Sequence, residues 1–180
     1  MLTQLTVARI VAIPIIMALL IMGAAGTTAY AWAGALFAIA ASTDFFDGYL
    51  ARRWNAVTNL GSFLDTTADK LLVTGVLIAL VEVGRVWSWA AVVIVGRELV
   101  IMGLRGLIAS SGAVMKPSVW GKLKAILQFV AILFAIWRFP QTIGPLHFDE
   151  WLMLVAVGVT VMSGWEYLSR FSSLLSTDQE

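Results

Sequence analysis

The sequence predicts an all-α integral membrane protein in which six transmembrane helices form a single membrane-embedded domain over residues 1–180. Its composition is the first reason, because 60% of the residues are hydrophobic and only 13% are charged, whereas soluble domains have about 45–50% apolar and about 25% charged residues. The second reason is that six apolar stretches approach the roughly 20 residues that a helix needs to cross a bilayer. Because lipid cannot satisfy open backbone groups, these stretches are expected to be helical. The chain has no cysteine, which excludes a disulfide framework and a thiolate zinc site.

Each predicted helix has its own signal. The first contains Arg9 and lacks the basic region and small-residue cleavage site of a signal peptide, so we expect it to remain in place. The second and third each carry a pair of aspartates, the fourth has charges inside an apolar run, and the fifth opens with two lysines. Trp151 and Trp165 mark the two ends of the sixth, as interfacial aromatics do. The predicted ranges are 6–23, 30–50, 60–81, 86–108, 120–137 and 151–168.

The basic residues predict the orientation of the helices. If the N-terminus is cytoplasmic, Arg85 and Arg138 are the only basic residues of the outer connections. Since basic residues concentrate on the cytoplasmic side of membrane proteins, we expect a multi-pass protein of the cytoplasmic membrane with both termini inside. The cytoplasmic side then collects Arg9, Arg52, Arg53, Arg105, Lys116, Lys122, Lys124 and Arg170.

Four carboxylates in the second and third helices need an explanation. At about 100° per residue, the aspartates of each helix share one face. Ionisable residues inside the membrane cost roughly 2.5–3.5 kcal/mol each on insertion scales, and four neighbouring acids also repel one another. The acids are Asp44, Asp47, Asp65 and Asp69, and the small residues on the same stripes are Gly48, Ala51 and Gly61.

Binding of divalent cations would explain the presence of all four acids. Oxygen ligands without nearby cysteine or histidine suit Mg²⁺, Mn²⁺ or Ca²⁺ rather than zinc. Two divalent ions neutralise four negative charges, and two-metal sites typically act on phosphoryl groups. The alternative is that the acids only form salt bridges with Arg52, Arg53 and Lys70 at the helix ends, which explains one acid more readily than four on matched faces.

The spacing of these residues resembles the signature of the CDP-alcohol phosphatidyltransferase family. In this chain the pattern reads Asp44-x2-Asp47-Gly48-x2-Ala51-Arg52-x8-Gly61-x3-Asp65-x3-Asp69. The resemblance implies a six-helix membrane enzyme, usually a homodimer. Such an enzyme cleaves the pyrophosphate of a CDP-linked alcohol, transfers a phosphatidyl or related group to a second alcohol, and releases CMP.

The resemblance also implies roles for the individual residues. The four aspartates hold two divalent cations, Mg²⁺ or Mn²⁺, and Asp69 is also the expected catalytic base. The residues expected to line the CDP pocket are Asp44, Gly48, Ala51, Arg52, Gly61 and Asp65. Small residues admit the nucleotide, and Arg52 can donate paired hydrogen bonds to the pyrophosphate.

Looser motifs elsewhere resemble one branch of the family, whose donor is CDP-diacylglycerol and whose acceptor is sn-glycerol 3-phosphate. They are Leu5-Thr6-x2-Arg9-x4-Pro14, Arg97-Glu98-x6-Arg105 and Ser118-x2-Gly121-Lys122-x-Lys124-x3-Gln128. The chain departs from that branch at Thr66 and Ala125, where proline and threonine are frequent. The implied reaction gives phosphatidylglycerophosphate and CMP.

Charged residues outside the aspartate pattern are candidates for the acceptor site. We expect Arg105, Lys122 and Lys124 to bind the acceptor phosphate, although a general excess of basic residues on the cytoplasmic side also explains them. Adjacent helical residues project about 100° apart. The neighbours Arg97 and Glu98 are therefore expected not to neutralise each other but to need partners on other helices. Thr6, Arg9, Arg97 and Glu98 are assigned supporting roles.

Alternatives remain within and outside the family. The acceptor can instead be inositol phosphate, serine or phosphatidylglycerol. A divalent-cation transporter also carries intramembrane acids, but the acids here lie toward the cytoplasmic ends of their helices. A non-catalytic assembly protein is the third alternative. The expected partners are the two substrates, membrane lipid and a second copy of the chain, and no nucleic acid is expected.

Overall fold

Long helices make up most of the chain in the computed structural model, which describes residues 2–23, 27–53, 59–110 and 119–177. In that part of the chain there are six helices and one two-stranded hairpin. They are α1 Leu2–Gly23, α2 Thr27–Arg53, α3 Asn59–Glu82, α4 Ser88–Ser110, α5 Val119–Trp137, β1 Thr142–Ile143, β2 Leu146–His147 and α6 Phe148–Thr177. Five of the six predicted stretches lie within one of these helices and the stretch 86–108 begins two residues before α4, so the all-helical class is confirmed.

The helices differ in how well their composition suits a membrane. Within the described residues, three stretches are long and apolar enough to cross one: Thr6–Gly23 in α1, Val119–Trp137 in α5 and Phe148–Phe171 in α6. The described residues of the other three helices contain no such stretch, and α2 has a shorter apolar part at Thr28–Ser42. The chain is therefore an all-helical membrane protein, and the crossing of all six helices stays a prediction.

The outer surface of the bundle is apolar, like its core. Leu77 and Ile132 are fully buried between helices. However, Trp32, Val92 and Trp165 expose 67%, 69% and 74% of their surface. Large exposed apolar areas of this kind mark surfaces that contact protein or membrane, so the bundle matches a lipid environment.

Two groups of helices pack side by side. The first group is α1, α2 and α3, in which α1 packs against both of the others. The second is α4, α5 and α6, in which α6 packs against both α4 and α5. We call them the α1–α3 group and the α4–α6 group. Contacts of α2 with α5 and of α3 with α4 join the groups.

Close helix packing depends on glycine at particular positions. A Cβ on Gly34 of α2 would lie 2.2 Å from Nε1 of Trp137 on α5. A Cβ on Gly75 of α3 would lie 2.8 Å from Cγ2 of Ile13 on α1. Both distances are shorter than van der Waals contact, so these glycines set how closely the helices approach.

The connection between α5 and α6 forms a two-stranded hairpin. Thr142 pairs with His147 and Ile143 with Leu146, which leaves Gly144-Pro145 as the turn. Gly144 has a φ of 65°, and proline restricts the next position to a negative φ. Glycine at the first central position is the signature of a type II′ hairpin turn. The periodicity of two-residue strands is too short to detect in a sequence.

Ion pairs and a stacked arginine hold this end of the bundle, which we call the hairpin end. Arg138 pairs with Asp149 at 3.5 Å and with Glu150 at 2.8 Å. In the connection between α3 and α4, Arg85 lies 3.6 Å from the ring centroid of Tyr30 on α2. It also donates hydrogen bonds to the carbonyls of Ala135 and Ile136 at the end of α5.

The charge of Arg85 suits this position. Cations are favourable at the C-terminal end of a helix, where carbonyl groups lack backbone partners. Burial lowers the pKa of the Arg85 guanidinium from its ordinary value, and the nearby Tyr30 acts in the opposite direction.

Candidate functional site

A single carboxylate joins three helices inside the bundle. Glu98 on α4 accepts a hydrogen bond from Nζ of Lys70 on α3 at 3.0 Å through Oε2. Its Oε1 accepts a hydrogen bond from Nζ of Lys124 on α5. Only 12% of the Glu98 side chain and 9% of the Lys124 side chain are exposed. We call Lys70, Arg97, Glu98 and Lys124 the Glu98 cluster.

Arg97 completes this cluster and corrects one expectation. The prediction that Arg97 and Glu98 do not pair with each other is wrong, since Nη1 of Arg97 lies 3.2 Å from Oε1 of Glu98. A long guanidinium side chain can bend back along the helix, so the angle between the two Cα–Cβ bonds does not decide the contact. Arg97 also donates to Oγ of Ser163 on α6 at 2.7 Å. The expected partners on other helices are therefore present as well.

The Glu98 cluster carries more positive than negative charge. Lys70, Arg97 and Lys124 are cations and, among the described side chains, Glu98 is the acid that all three contact, so these four residues have a formal charge of +2. Buried charge is costly unless it is paired. This arrangement therefore favours an anion that comes from outside the cluster.

Two of the four predicted metal-binding acids have described side chains, and both lie on α3. Arg9 of α1, whose side chain is 2% exposed, pairs with Oδ1 of Asp65 at 3.0 Å. Thr6 of α1 donates to the same oxygen at 3.4 Å. The two residues assigned supporting roles in α1 thus contact a predicted metal ligand directly.

The acids and the Glu98 cluster share helix α3. Asp69 lies one turn beyond Asp65, and the next residue is Lys70 of the cluster. Asp69 and Lys70 are both partly buried. Helix α3 therefore connects the predicted metal ligands to the surplus positive charge.

Other predicted site residues lie outside the described side chains. These are Asp44, Asp47, Gly48, Ala51 and Arg52 of α2 and Gly61 of α3. Among the side chains that the structure does describe, no three His, Cys, Asp or Glu residues come together to hold a metal. The side chains of Asp44 and Asp47 are not among those described. The four-acid metal site and the CDP pocket therefore stay predictions.

The three predicted phosphate-binding cations have different surroundings in the structure. Lys124 is buried in the Glu98 cluster, whereas Lys122 is exposed. The two lysines are two residues apart, or about 200° around the helix, and so they point to opposite sides of α5. Arg105 is exposed on α4 and donates a hydrogen bond to the hydroxyl of Tyr167 on α6.

Several polar residues of this region have no role in the sequence-based prediction. The sequence offers Lys70 only as a salt-bridge partner for the aspartates, although its position inside a membrane helix is itself a signal. Tyr167 is 2% exposed, and its ring centroid lies 5.4 Å from the guanidinium carbon of Arg97 and 5.0 Å from that of Arg105. Gln128 donates to Thr160 at 2.8 Å between α5 and α6.

An apolar groove lies beside the Glu98 cluster, between α4 and α6. It encloses about 260 Å³. Arg97 is the one charged residue of its lining, and Trp165 is largely exposed at its edge. The other lining residues are Val100, Ile101, Val161, Gly164 and Leu168.

Comparison with known proteins places the chain in a family. The model of the family described as CDP-alcohol phosphatidyltransferase matches residues 3–162. A Bacillus subtilis protein named CDP-diacylglycerol–glycerol-3-phosphate 3-phosphatidyltransferase is 39% identical, over 97% of this chain and 96% of its own length. A Salmonella choleraesuis protein of the same name is 36% identical, over 93% and 92%.

A third relative carries a related name. It is a Mycobacterium tuberculosis protein named probable phosphatidylglycerophosphate synthase, which is 38% identical over 92% of this chain and 78% of its own length. The family match covers most of the chain, including every position of the aspartate pattern. This confirms the resemblance drawn from that pattern, and the chain belongs to the CDP-alcohol phosphatidyltransferase family.

Proposed function

We propose that this protein transfers the phosphatidyl group of CDP-diacylglycerol to sn-glycerol 3-phosphate, giving phosphatidylglycerophosphate and CMP. Family membership supports the reaction class, and the names of the relatives support this donor and this acceptor. The observation that carries the choice of acceptor is the formal charge of +2 on the Glu98 cluster.

The charge of the cluster matches a phosphorylated acceptor. A phosphomonoester carries about −1.5 to −2 charges near neutral pH, which is close to the surplus on Lys70, Arg97 and Lys124 together with Glu98. Serine has no phosphate, and the phosphodiester of phosphatidylglycerol carries a single negative charge. Glycerol 3-phosphate therefore compensates the buried cations better than either of these alcohols.

The acids of α2 and α3 are the proposed metal ligands. Asp44, Asp47, Asp65 and Asp69 would hold two Mg²⁺ or Mn²⁺ ions, which neutralise charge on the pyrophosphate and stabilise the leaving group. Arg9 and Thr6 both contact Oδ1 of Asp65, and these contacts orient the carboxylate. Carboxylate oxygens are the donors that hard divalent cations prefer.

The proposed chemistry is a substitution at phosphorus. A hydroxyl oxygen of the acceptor forms a bond to the lipid-bearing phosphorus, and the bond from that phosphorus to the bridging oxygen breaks. CMP leaves with the electron pair, and Asp69 accepts the hydroxyl proton. Placement of the acceptor beside this base contributes to the rate, because it replaces a bimolecular encounter with a fixed geometry.

The remaining residues of the aspartate pattern are the proposed nucleotide-binding residues. Gly48, Ala51 and Gly61 would leave room for CDP, and Arg52 would pair with its pyrophosphate. The distribution of basic residues supports a site on the cytoplasmic side of the cell membrane. We further infer that the enzyme works as a homodimer, as the family resemblance implies.

The test is an assay of purified protein in detergent with radiolabelled CDP-diacylglycerol. The acceptors are glycerol 3-phosphate, inositol phosphate, serine, phosphatidylglycerol and glycerol, each with Mg²⁺ or Mn²⁺. We expect CMP release and phosphatidylglycerophosphate with glycerol 3-phosphate, loss of both with EDTA, and recovery on adding metal. Preference for another acceptor would overturn the substrate assignment, and CMP release that resists chelation would overturn the metal assignment.

A further inference from the structure

We infer that Glu98 is a positioning residue that holds the acceptor-binding lysines in register with the aspartates of α3, an inference that rests on the proposed function. The observation behind it is that one carboxylate contacts ammonium groups from two other helices. Lys70 of α3 contacts Oε2 at 3.0 Å, and Lys124 of α5 contacts Oε1.

The helices joined by Glu98 belong to different groups. Helix α3, with Asp65, Asp69 and Lys70, packs mainly in the α1–α3 group, whereas α5, with Lys124, packs mainly against α6. The reaction needs both groups, because the proposed metal ligands lie on one and Lys124 lies on the other. Glu98 links them through a chain of ion pairs from α3 through α4 to α5.

Charge repulsion explains why a link is required. Two ammonium groups that approach the same phosphate repel each other, and the repulsion is stronger in a poorly solvated site. The two oxygens of one carboxylate offset this repulsion and keep the two groups a short distance apart before the acceptor arrives. Such preorganisation reduces the ordering cost of binding. The third cation, Arg97, is itself held by Ser163 at 2.7 Å.

The effect of Glu98 should fall on the acceptor rather than on the donor. Glu98→Gln keeps the size of the side chain but removes the charge that holds both lysines. We expect the KM for glycerol 3-phosphate to rise about 10-fold or more, as expected for loss of charge-assisted hydrogen bonds. The KM for CDP-diacylglycerol should change less than about 2-fold. Glu98→Asp, which keeps the charge but shortens the reach, should recover part of the acceptor affinity.

A binding measurement complements the kinetics. A ligand that binds the folded state raises the unfolding temperature, so glycerol 3-phosphate should stabilise the wild-type protein and stabilise the Glu98→Gln variant much less. Stabilisation by CDP with Mg²⁺ should be the same in both. Glu166→Gln is the matched control, because Glu166 pairs with Arg170 of its own helix at 2.6 Å and links no other helix through that pair.

The outcomes separate this inference from the proposed function. If wild-type protein makes no product from glycerol 3-phosphate, the proposed function fails. If the wild type makes product and Glu98→Gln leaves the acceptor KM unchanged or lowers it, the positioning role is wrong. Equal increases in both KM values, with no recovery in Glu98→Asp, would also overturn it, since they would mean a general structural role. If Glu98→Gln does not fold, the acceptor-to-donor KM ratio of Glu98→Asp decides: a raised ratio supports the role and an unchanged ratio overturns it.

Discussion

At the residue scale, the lysines of α5 show how two similar side chains acquire different surroundings. Lys124 is 7% exposed and contacts Glu98, while Lys122 is exposed on the other side of the helix. Both lysines contribute to the excess of basic residues expected on the cytoplasmic side, and the sequence assigns both to the acceptor phosphate. Only Lys124 has the burial and the acidic partner that suit a preorganised binding site.

This difference predicts unequal effects of the same substitution. Lys124→Gln should raise the KM for glycerol 3-phosphate about 10- to 100-fold, because it removes a charge-assisted contact from a poorly solvated site. Lys122→Gln should change the same KM less than about 3-fold, because an exposed charge is well screened. Steady-state kinetics with the acceptor varied at saturating donor would measure both. Equal effects of the two substitutions would contradict the assignment of Lys124.

Some features at this scale were not predictable from the sequence. The contact between Arg97 and Glu98 depends on how a flexible guanidinium folds back along α4, which helical angles do not determine. The partnership of Lys70 with Glu98 depends on the packing of α3 against α4. Spacing along one chain does not reveal which helices are neighbours, so an intramembrane charge can be found in the sequence before its partner is known.

At the element scale, small residues control how closely the helices pack. The contact between α2 and α5 depends on Gly34, where an added Cβ would lie 2.2 Å from Trp137. In α6, outside the neighbouring backbone, no atom of the described residues lies within 4 Å of the corresponding position on Gly158. The same substitution therefore has opposite consequences at the two sites.

Gly34→Ala should destabilise the bundle by about 1–3 kcal/mol, because a well-packed contact is forced apart. Gly158→Ala should be neutral or stabilise the protein by up to about 1 kcal/mol, because alanine is the better helix former and finds open space. Reversible unfolding in detergent, followed by tryptophan fluorescence, would compare the two variants. A Gly34→Ala protein as stable as the wild type would show that α2 and α5 do not need this close approach.

The helices themselves were largely predictable, and the connection between α5 and α6 was not. Apolar runs of about 20 residues leave few alternatives to helix in a membrane. Five of the six predicted runs lie within an observed helix, and the run 86–108 begins two residues before α4. The α5–α6 connection has strands of two residues, Thr142–Ile143 and Leu146–His147. Its structure depends on the Gly144-Pro145 turn rather than on a hydrophobic pattern.

At the scale of the whole molecule, stability and chemistry depend on different parts of the bundle. The hairpin end has Arg85 between Tyr30 and the end of α5, together with the ion pairs of Arg138. The proposed reaction uses the aspartates of α2 and α3 and the Glu98 cluster. Since the two regions use separate residues, substitutions can affect one and leave the other unchanged.

Arg85→Ala tests this separation. We expect a loss of about 2 kcal/mol in the free energy of unfolding, because a cation–π contact and a helix-end interaction disappear together. Both KM values should stay within about 2-fold of wild type. Arg170→Ala, which removes an exposed pair on one helix, should cost less than about 0.5 kcal/mol. A large change in either KM for Arg85→Ala, in protein that remains folded, would show that the regions are coupled.

The hairpin between α5 and α6 also has a practical consequence. Residues 141–145, which include its turn, are all exposed, and exposed turns of this kind accept insertions well. A short epitope placed between Gly144 and Pro145 would be available to an antibody on one face of the membrane only. Labelling of intact and permeabilised cells would then reveal the sidedness of the protein without altering any residue assigned to the reaction.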